Sequence, residues 1–254
     1  PMARWLDERV ALTEVMARAD PRDPVGWPVP FDAAQAAAPV GGRRVALSYD
    51  LGTGRAPDPE IRSALDAVAD ALSDAGVEVE LASPLWPVPP SEPFEVFWTT
   101  SYAGFLDLYP EHQAREMDPL LHDIAAHGRA CDTLTYHRAL NDRLAITTES
   151  HAFLTRYDAI LCPSVIGPAF DIEAEAPPGE TPDDWSWSPY CYIFNMTGQP
   201  ALAVPAGFDP GGLPLGVQLA ARTGREELLL SLGSAVEARL GLLDRRPPML
   251  VDSQ

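Results

Sequence analysis

The sequence of 254 residues contains no lysine, because all 18 of its basic residues are arginine. This absence excludes mechanisms in which a lysine of the chain acts as a base, forms a Schiff base or holds a nucleotide phosphate. Arginine stays protonated and does not replace lysine in these roles. Residues of this chain alone therefore cannot carry out these lysine-dependent reactions.

Cysteine is scarce, and long apolar runs are missing. Cys131, Cys162 and Cys191 are odd in number and widely spaced, which argues against a disulfide framework and against a Cys-x-x-Cys metal site. No apolar run approaches the roughly 20 residues that a membrane-spanning helix needs. We therefore expect a soluble, cytoplasmic protein that uses neither a metal nor another cofactor.

Basic residues are outnumbered by acidic ones, 37 to 18, and the formal net charge is −19. Such a surface repels phosphate groups over long range, so neither nucleic acid nor an anionic membrane is an expected partner. Surplus acidic residues also serve solubility alone, and the charge therefore identifies no function.

Hydrophobic patterning predicts an α/β fold with a mixed β-sheet flanked by helices. Helices are predicted over residues 5–17, 59–75 and 226–240, and three more lie within 95–156, broken near Pro110 and Gly128. A long Pro- and acid-rich loop is expected over 168–189. Strands are predicted over residues 44–49, 77–81, 159–162, 201–204 and 215–219.

The stretch 194–219 has the most distinctive local pattern. It contains Asn-Met-Thr-Gly-Gln-Pro-Ala at 195–201, Val-Pro-Ala-Gly at 204–207 and Gly-Leu-Pro-Leu-Gly-Val-Gln at 212–218. Taken alone, the glycines and prolines bracket two short strands that carry no titratable group. The local pattern therefore predicts a structural packing element.

As a whole, this pattern resembles the C-terminal signature of the amidase-signature family. Pro-Met-Ala-Arg at 1–4 with Asp-Pro-Arg-Asp at 20–23, and Tyr-Asp-Ala-Ile-Leu-Cys-Pro-Ser at 157–164, also resemble that family in the same order. The resemblance spans nearly the whole chain and is least specific over 86–156. Residues 1–254 are accordingly expected to be the C-terminal portion of a single amidase-like domain, incomplete by itself.

The resemblance implies amide hydrolysis through an acyl-enzyme. In that family a serine attacks the carbonyl, a lysine acts as base through a second serine, and a Gly/Ser-rich loop donates N–H groups to the oxyanion. This chain has no lysine and no such loop, since Gly41-Gly42 and Gly211-Gly212 lack serine neighbours. No catalytic residue is therefore assigned in this sequence.

Aromatic residues and one cysteine are the candidate substrate-binding groups: Trp187, Tyr190, Cys191, Trp98 and Tyr102. Aromatic side chains beside a long loop are typical of apolar substrate pockets, and also of plain core packing. We expect Trp187, Tyr190 and Cys191 to border a substrate cavity. Cys162 and Cys191 are either reactive thiols or, as is commoner, buried inert ones.

Two other patterns suggest sites only weakly. Gly52-Thr53-Gly54 lies between a predicted strand and helix, as in a dinucleotide-binding turn, but Pro57 replaces the third glycine, which favours an ordinary turn. His122 and His127 are five residues apart and face different sides of a helix, unlike zinc-binding pairs. We expect the five histidines to be surface or helix-end residues.

The sequence thus predicts an amidase acting on small amides, represented by a portion that is inactive alone. The expected partners are a small amide substrate and an upstream catalytic segment of the same protein. One alternative is an A-type subunit of glutamyl-tRNA amidotransferase, which shares the signature. The other is a non-catalytic binding or structural remnant. The chain made alone is expected to self-associate, and to be rescued by the upstream segment.

Overall fold

The computed structural model describes residues 1–23, 30–180, 187–242 and 245. One five-stranded sheet has the order β2-β1-β3-β5-β4. Strand β1 pairs in parallel with β2 and β3, whereas β5 is antiparallel to both β3 and β4. The mixed sheet is therefore confirmed, with all five predicted strands in it. The strands are β1 Arg44–Leu47, β2 Glu78–Leu81, β3 Ala159–Pro163, β4 Ala201–Phe208 and β5 Pro214–Ala221.

Helices surround this sheet, and a short 3-10 turn, Gln35–Ala37, precedes β1. Across the described ranges, no helix combines the length and apolarity that crossing a bilayer requires. The helices are α1 Leu6–Met16, α2 Pro59–Asp74, α3 Ser91–Leu106, α4 Glu111–Ala114, α5 Pro119–Ala130, α6 Thr133–Phe153, α7 Cys191–Thr197 and α8 Glu226–Leu240.

The central strands are buried on both faces, as parallel strands require. Val45 and Leu47 of β1 pack in a core formed with α2 and α8. Ala46, between them, points to the opposite face and joins a second core formed with α6 and α7. Burial on both faces explains why residues 45–47 of β1 and 159–163 of β3 are continuous apolar runs.

The middle helical segment differs from the prediction. The break at Pro110 is correct, and the break predicted near Gly128 falls at residues 131–132, just after α5, but the region holds four helices instead of three. The next helix begins after Asp132, whose carboxylate accepts hydrogen bonds from the N–H groups of Leu134 and Thr135. A Cβ atom at Gly128 would lie 2.0 Å from the carbonyl oxygen of Thr99 in α3. Gly128 therefore permits close contact between two helices.

The glycine pair after β1 forms a tight turn. Gly52 has a φ of 70°, and a Cβ atom there would lie 2.2 Å from the carbonyl oxygen of Pro84. Its N–H donates to the Asp50 carboxylate at 2.9 Å. Gly52 thus meets the conformational and steric demands of the turn, in agreement with the ordinary-turn interpretation.

Candidate functional site

A cleft of about 490 Å³ opens at the edge of the sheet where β3 ends and β5 begins. The amino end of α2 forms a further side. Ligands of open α/β sheets bind outside the carboxyl ends of parallel strands, and β3 is such a strand. The described residues that line the cleft are 58, 61, 165–171, 177, 178, 187, 188 and 214–216.

Two chain segments face each other across this cleft. The β3 wall, residues 164–171, continues directly from β3. In the α7 wall, residues 187–190, Trp187 and Ser188 line the cleft and the next two residues lead into α7. Phe170 of the first and Trp187 of the second meet edge to face, with ring centroids 6.2 Å apart and planes at 86°. The contact forms an aromatic corner suited to an apolar group.

A buried glutamine of the signature segment contacts the base of both walls. The Nε2 atom of Gln218 donates to the carbonyl oxygen of Pro163 at 2.8 Å and to that of Tyr190 at 3.3 Å. Nearby, the hydroxyl of Ser164 donates to the carbonyl oxygen of Gly216 at 3.0 Å. The signature residues of β5 therefore fix the cleft to the sheet.

The other signature glutamine lies in a separate network. Gln199 Oε1 accepts hydrogen bonds from the hydroxyls of Ser150 and Thr197, at 2.5 and 2.9 Å, and its Nε2 donates to the carbonyl oxygen of Ala221. Gly198 ends α7 with a φ of 67°. The Asn-Met-Thr-Gly-Gln-Pro motif thus joins α7 to β4, as its local pattern predicts.

The β3 wall and the acid-rich loop beyond it are tied to the segment before α2. Asp58 donates its backbone N–H to the carbonyl oxygen of Ile166 at 2.7 Å. Farther along, the guanidinium of Arg55 forms an ion pair with Glu180. Both contacts hold the loop close to the cleft.

Of the predicted substrate-binding residues, Trp187 lines the cleft, where its side chain is half-buried. Tyr190 is a correction to the cavity prediction: with 0% of its surface exposed, it packs in the core beneath α7. Its hydroxyl donates to the carbonyl oxygen of Arg55 at 2.6 Å. Burial raises the pKa of this phenol, so it stays protonated.

Cys191 begins α7 beside the cleft, and its Sγ lies 2.9 Å from the carbonyl oxygen of Ser164. The residue is exposed, yet neighbouring protein atoms desolvate the thiol and raise its pKa. Cys162 is completely buried in β3, and burial raises the pKa of its thiol even more. Both thiols stay protonated at neutral pH, which disfavours the reactive interpretation.

Trp98 and Tyr102 belong to a different aromatic group, on α3. Their ring centroids are 4.8 Å apart, and Phe94 stacks on Tyr192 of α7 at 4.3 Å. The structure therefore does not bring these two residues together with Trp187.

Sequence reasoning also missed the β3 wall and Asp58. The signals available were the position of the β3 wall directly after the parallel strand β3 and that of Asp58 at the amino end of α2.

Among the described residues, the cleft is lined by acidic but not by basic side chains. Asp58 and Asp171 are the titratable groups among the described residues lining it. Within the described ranges, no group of three or more His, Cys, Asp or Glu side chains is arranged to hold a metal ion. Two histidines bond to helix carbonyls, His122 to Ala114 and His127 to Asp123.

The chain matches a family model described as Amidase over residues 1–230. An acylamidase of Rhodococcus erythropolis is 30% identical, and the match covers 97% of this chain and 53% of the relative. The A-type subunit of a glutamyl-tRNA(Gln) amidotransferase from Synechococcus sp. (strain WH7803) is 28% identical over 97% of this chain and 56% of its own length.

The fold agrees with these relatives. The solved structure of 6-aminohexanoate cyclic dimer hydrolase matches with a TM-score of 0.85 at 22% identity, over 98% of this chain and 56% of that one. The chain thus spans about half the length of the proteins it matches. From the family match and the shared fold, we conclude that the chain belongs to the amidase family.

Proposed function

We propose that this chain is the C-terminal portion of an amide hydrolase and that its cleft binds the substrate. The observation that carries the proposal is the cleft at the carboxyl end of β3, whose walls are tied to the sheet by Gln218. Its volume of about 490 Å³ suits a small molecule. Membership of the amidase family supports the reaction class.

The lining favours neutral amides with an apolar or aromatic group. The Phe170–Trp187 corner offers apolar contact, and the exposed side chain of Val165 extends this surface. Asp58 and Asp171 would repel a substrate carboxylate. Anionic amides are therefore disfavoured relative to neutral ones of similar size.

The catalytic groups are proposed to come from a segment that precedes this chain in the protein. Amide hydrolysis through an acyl-enzyme needs an activated nucleophile, a base and donors for the oxyanion. The serines near the cleft have no neighbouring lysine base, because this chain lacks lysine. Ser164, for example, gives its hydroxyl hydrogen to the carbonyl oxygen of Gly216. The chain alone is expected to be inactive.

The test measures ammonia release from a panel of aliphatic and aromatic amides. The purified chain should show no turnover, and the chain produced together with the polypeptide encoded directly upstream should hydrolyse neutral amides. Turnover by the chain alone, abolished by a substitution within it, would contradict the division of roles. No turnover by the assembled protein on any amide would favour a non-catalytic role.

An amidotransferase component is the second candidate function, because the Synechococcus relative carries that name. It predicts ammonia release from glutamine that depends on additional protein chains. The net charge of −19 does not favour contact between this chain and tRNA. Comparing glutamine with apolar amides in the same assay separates the two functions.

A further inference from the structure

We infer that Gln218 is a positioning residue that sets the width of the substrate cleft by holding its two walls at a fixed separation. The inference rests on the proposed function, because it assigns a role in substrate selection to a residue that does not line the cleft. The evidence is the way in which one side chain joins two segments that are distant in sequence.

The first part of the argument is the geometry of the amide group. Gln218 is only 6% exposed, and a glutamine amide has two N–H hydrogens to donate. Nε2 is the donor both to Pro163, the last residue of β3 immediately before the β3 wall, and to Tyr190, where the α7 wall ends. The side-chain amide nitrogen of Gln218 thus donates one hydrogen bond toward each wall.

The second part is the rigidity of the position from which Gln218 acts. Its backbone lies in β5 between two strands, paired with Cys162 of β3 and with Ala203 of β4. A side chain anchored in the middle of a ladder has little freedom to follow a moving loop. Displacement of either wall therefore breaks a hydrogen bond instead of carrying the glutamine along.

Loss of the Gln218 side-chain amide should affect the two walls of the cleft and move them apart. Two carbonyl oxygens would lose a donor, and each such hydrogen bond contributes about 0.5–1.5 kcal/mol to stability. The walls relieve that loss by moving toward water, which separates Phe170 from Trp187. Bulky substrates that touch both walls should bind more weakly, whereas small amides should be little affected.

Gln199 provides a matched control for a purely structural role. It is also 6% exposed and also donates from Nε2 to a backbone carbonyl, that of Ala221. Its partners belong to α6, α7 and β5 and do not line the cleft. Substitution of either glutamine should lower the stability of the chain. Only substitution of Gln218 should also change substrate selection.

The experiment compares Gln218→Met with Gln199→Met in the chain assembled with its upstream segment. We expect Gln218→Met to raise KM for a bulky aromatic amide about tenfold, which equals about 1.4 kcal/mol, with little change in kcat or in KM for a small aliphatic amide. Gln199→Met should leave the KM ratio of the two amides unchanged. Equal ratios in both variants would overturn the inference, whereas an inactive wild type would instead contradict the proposed function.

A second measurement needs no activity. Amide hydrogen exchange in the chain itself should become faster over 164–171 and 187–190 in Gln218→Met, and remain as in the wild type in Gln199→Met. If Gln218→Met does not fold, Gln218→Glu keeps the shape and replaces the donor with an oxygen that repels both carbonyls. Unchanged exchange in a folded Gln218 variant would show that the glutamine does not hold the walls.

Discussion

At the scale of single residues, Trp187 and Tyr190 are three positions apart but have different environments. Tyr190→Ala should lower the unfolding free energy by about 3–5 kcal/mol, because it removes a fully buried aromatic side chain. Trp187→Ala should cost far less stability and weaken the binding of aromatic amides. Urea unfolding, together with KM values for the assembled protein, checks both. Equal stability losses would contradict this distinction.

Arg9 and Glu237 form a nearly buried ion pair, with Nη2 and Oε1 3.0 Å apart and side-chain exposures of 9% and 12%. Arg9→Met should lower the unfolding free energy by about 2 kcal/mol at neutral pH, because a hydrogen-bonded charge loses its partner. The control is Arg239→Met, which disrupts the exposed ion pair with Asp74. It should change the unfolding free energy by less than about 1 kcal/mol.

The loss from Arg9→Met should also depend on pH. Burial raises the pKa of Glu237, and Arg9 opposes that rise. Without Arg9 the pKa rises further, so the variant loses stability as the pH increases through that value. The difference from wild type should therefore shrink on acidification from about pH 8 to about pH 5. A constant difference over this range would exclude coupling to Glu237.

At the scale of elements, the contact between α3 and α5 depends on Gly128. Gly128→Ala should destabilise the chain by about 1–3 kcal/mol, because the added Cβ meets the backbone oxygen of Thr99. Gly104 lies in α3, and a Cβ added there would have no atom within 4 Å. Gly104→Ala should therefore leave stability unchanged or raise it by up to about 1 kcal/mol. Urea unfolding of both variants measures this contrast.

The sheet was predictable because four strands are short, mostly apolar segments and β2 alternates glutamate with apolar residues. The middle helices were predicted less accurately, because the short helix α4 is polar and has no apolar pattern that would indicate it. The sequence also does not show that Gly128 allows α5 to approach α3. The motif at 157–164 indicated β3 but not the wall that follows it. Trp187 and Tyr190 were not distinguishable in sequence, because the direction of each side chain is set by tertiary contacts, such as that of Tyr190 with Arg55.

At the scale of the whole molecule, charge repulsion and exposed apolar surface oppose each other. The net charge of −19 favours separate chains, while Leu85, Leu108 and Ile172 are largely exposed. Repulsion is screened over about 10 Å at 0.1 M salt, whereas apolar contact is not. The chain alone should therefore self-associate, more strongly at higher salt, when its sedimentation is followed. Monomers at low and high salt would contradict this expectation.

The sheet order has a consequence for how the chain folds. Val45 of β1 pairs with Ala159 of β3, so the centre of the sheet closes only after the whole helical segment between them has been synthesised. Helices α3 to α6 make contacts that are closer in sequence and should form earlier. In pulse-labelled hydrogen exchange during refolding, their amides should gain protection before those of β3. A ribosome would thus hold an intermediate in which β1 and β2 can pair while the other edge of β1 still lacks β3.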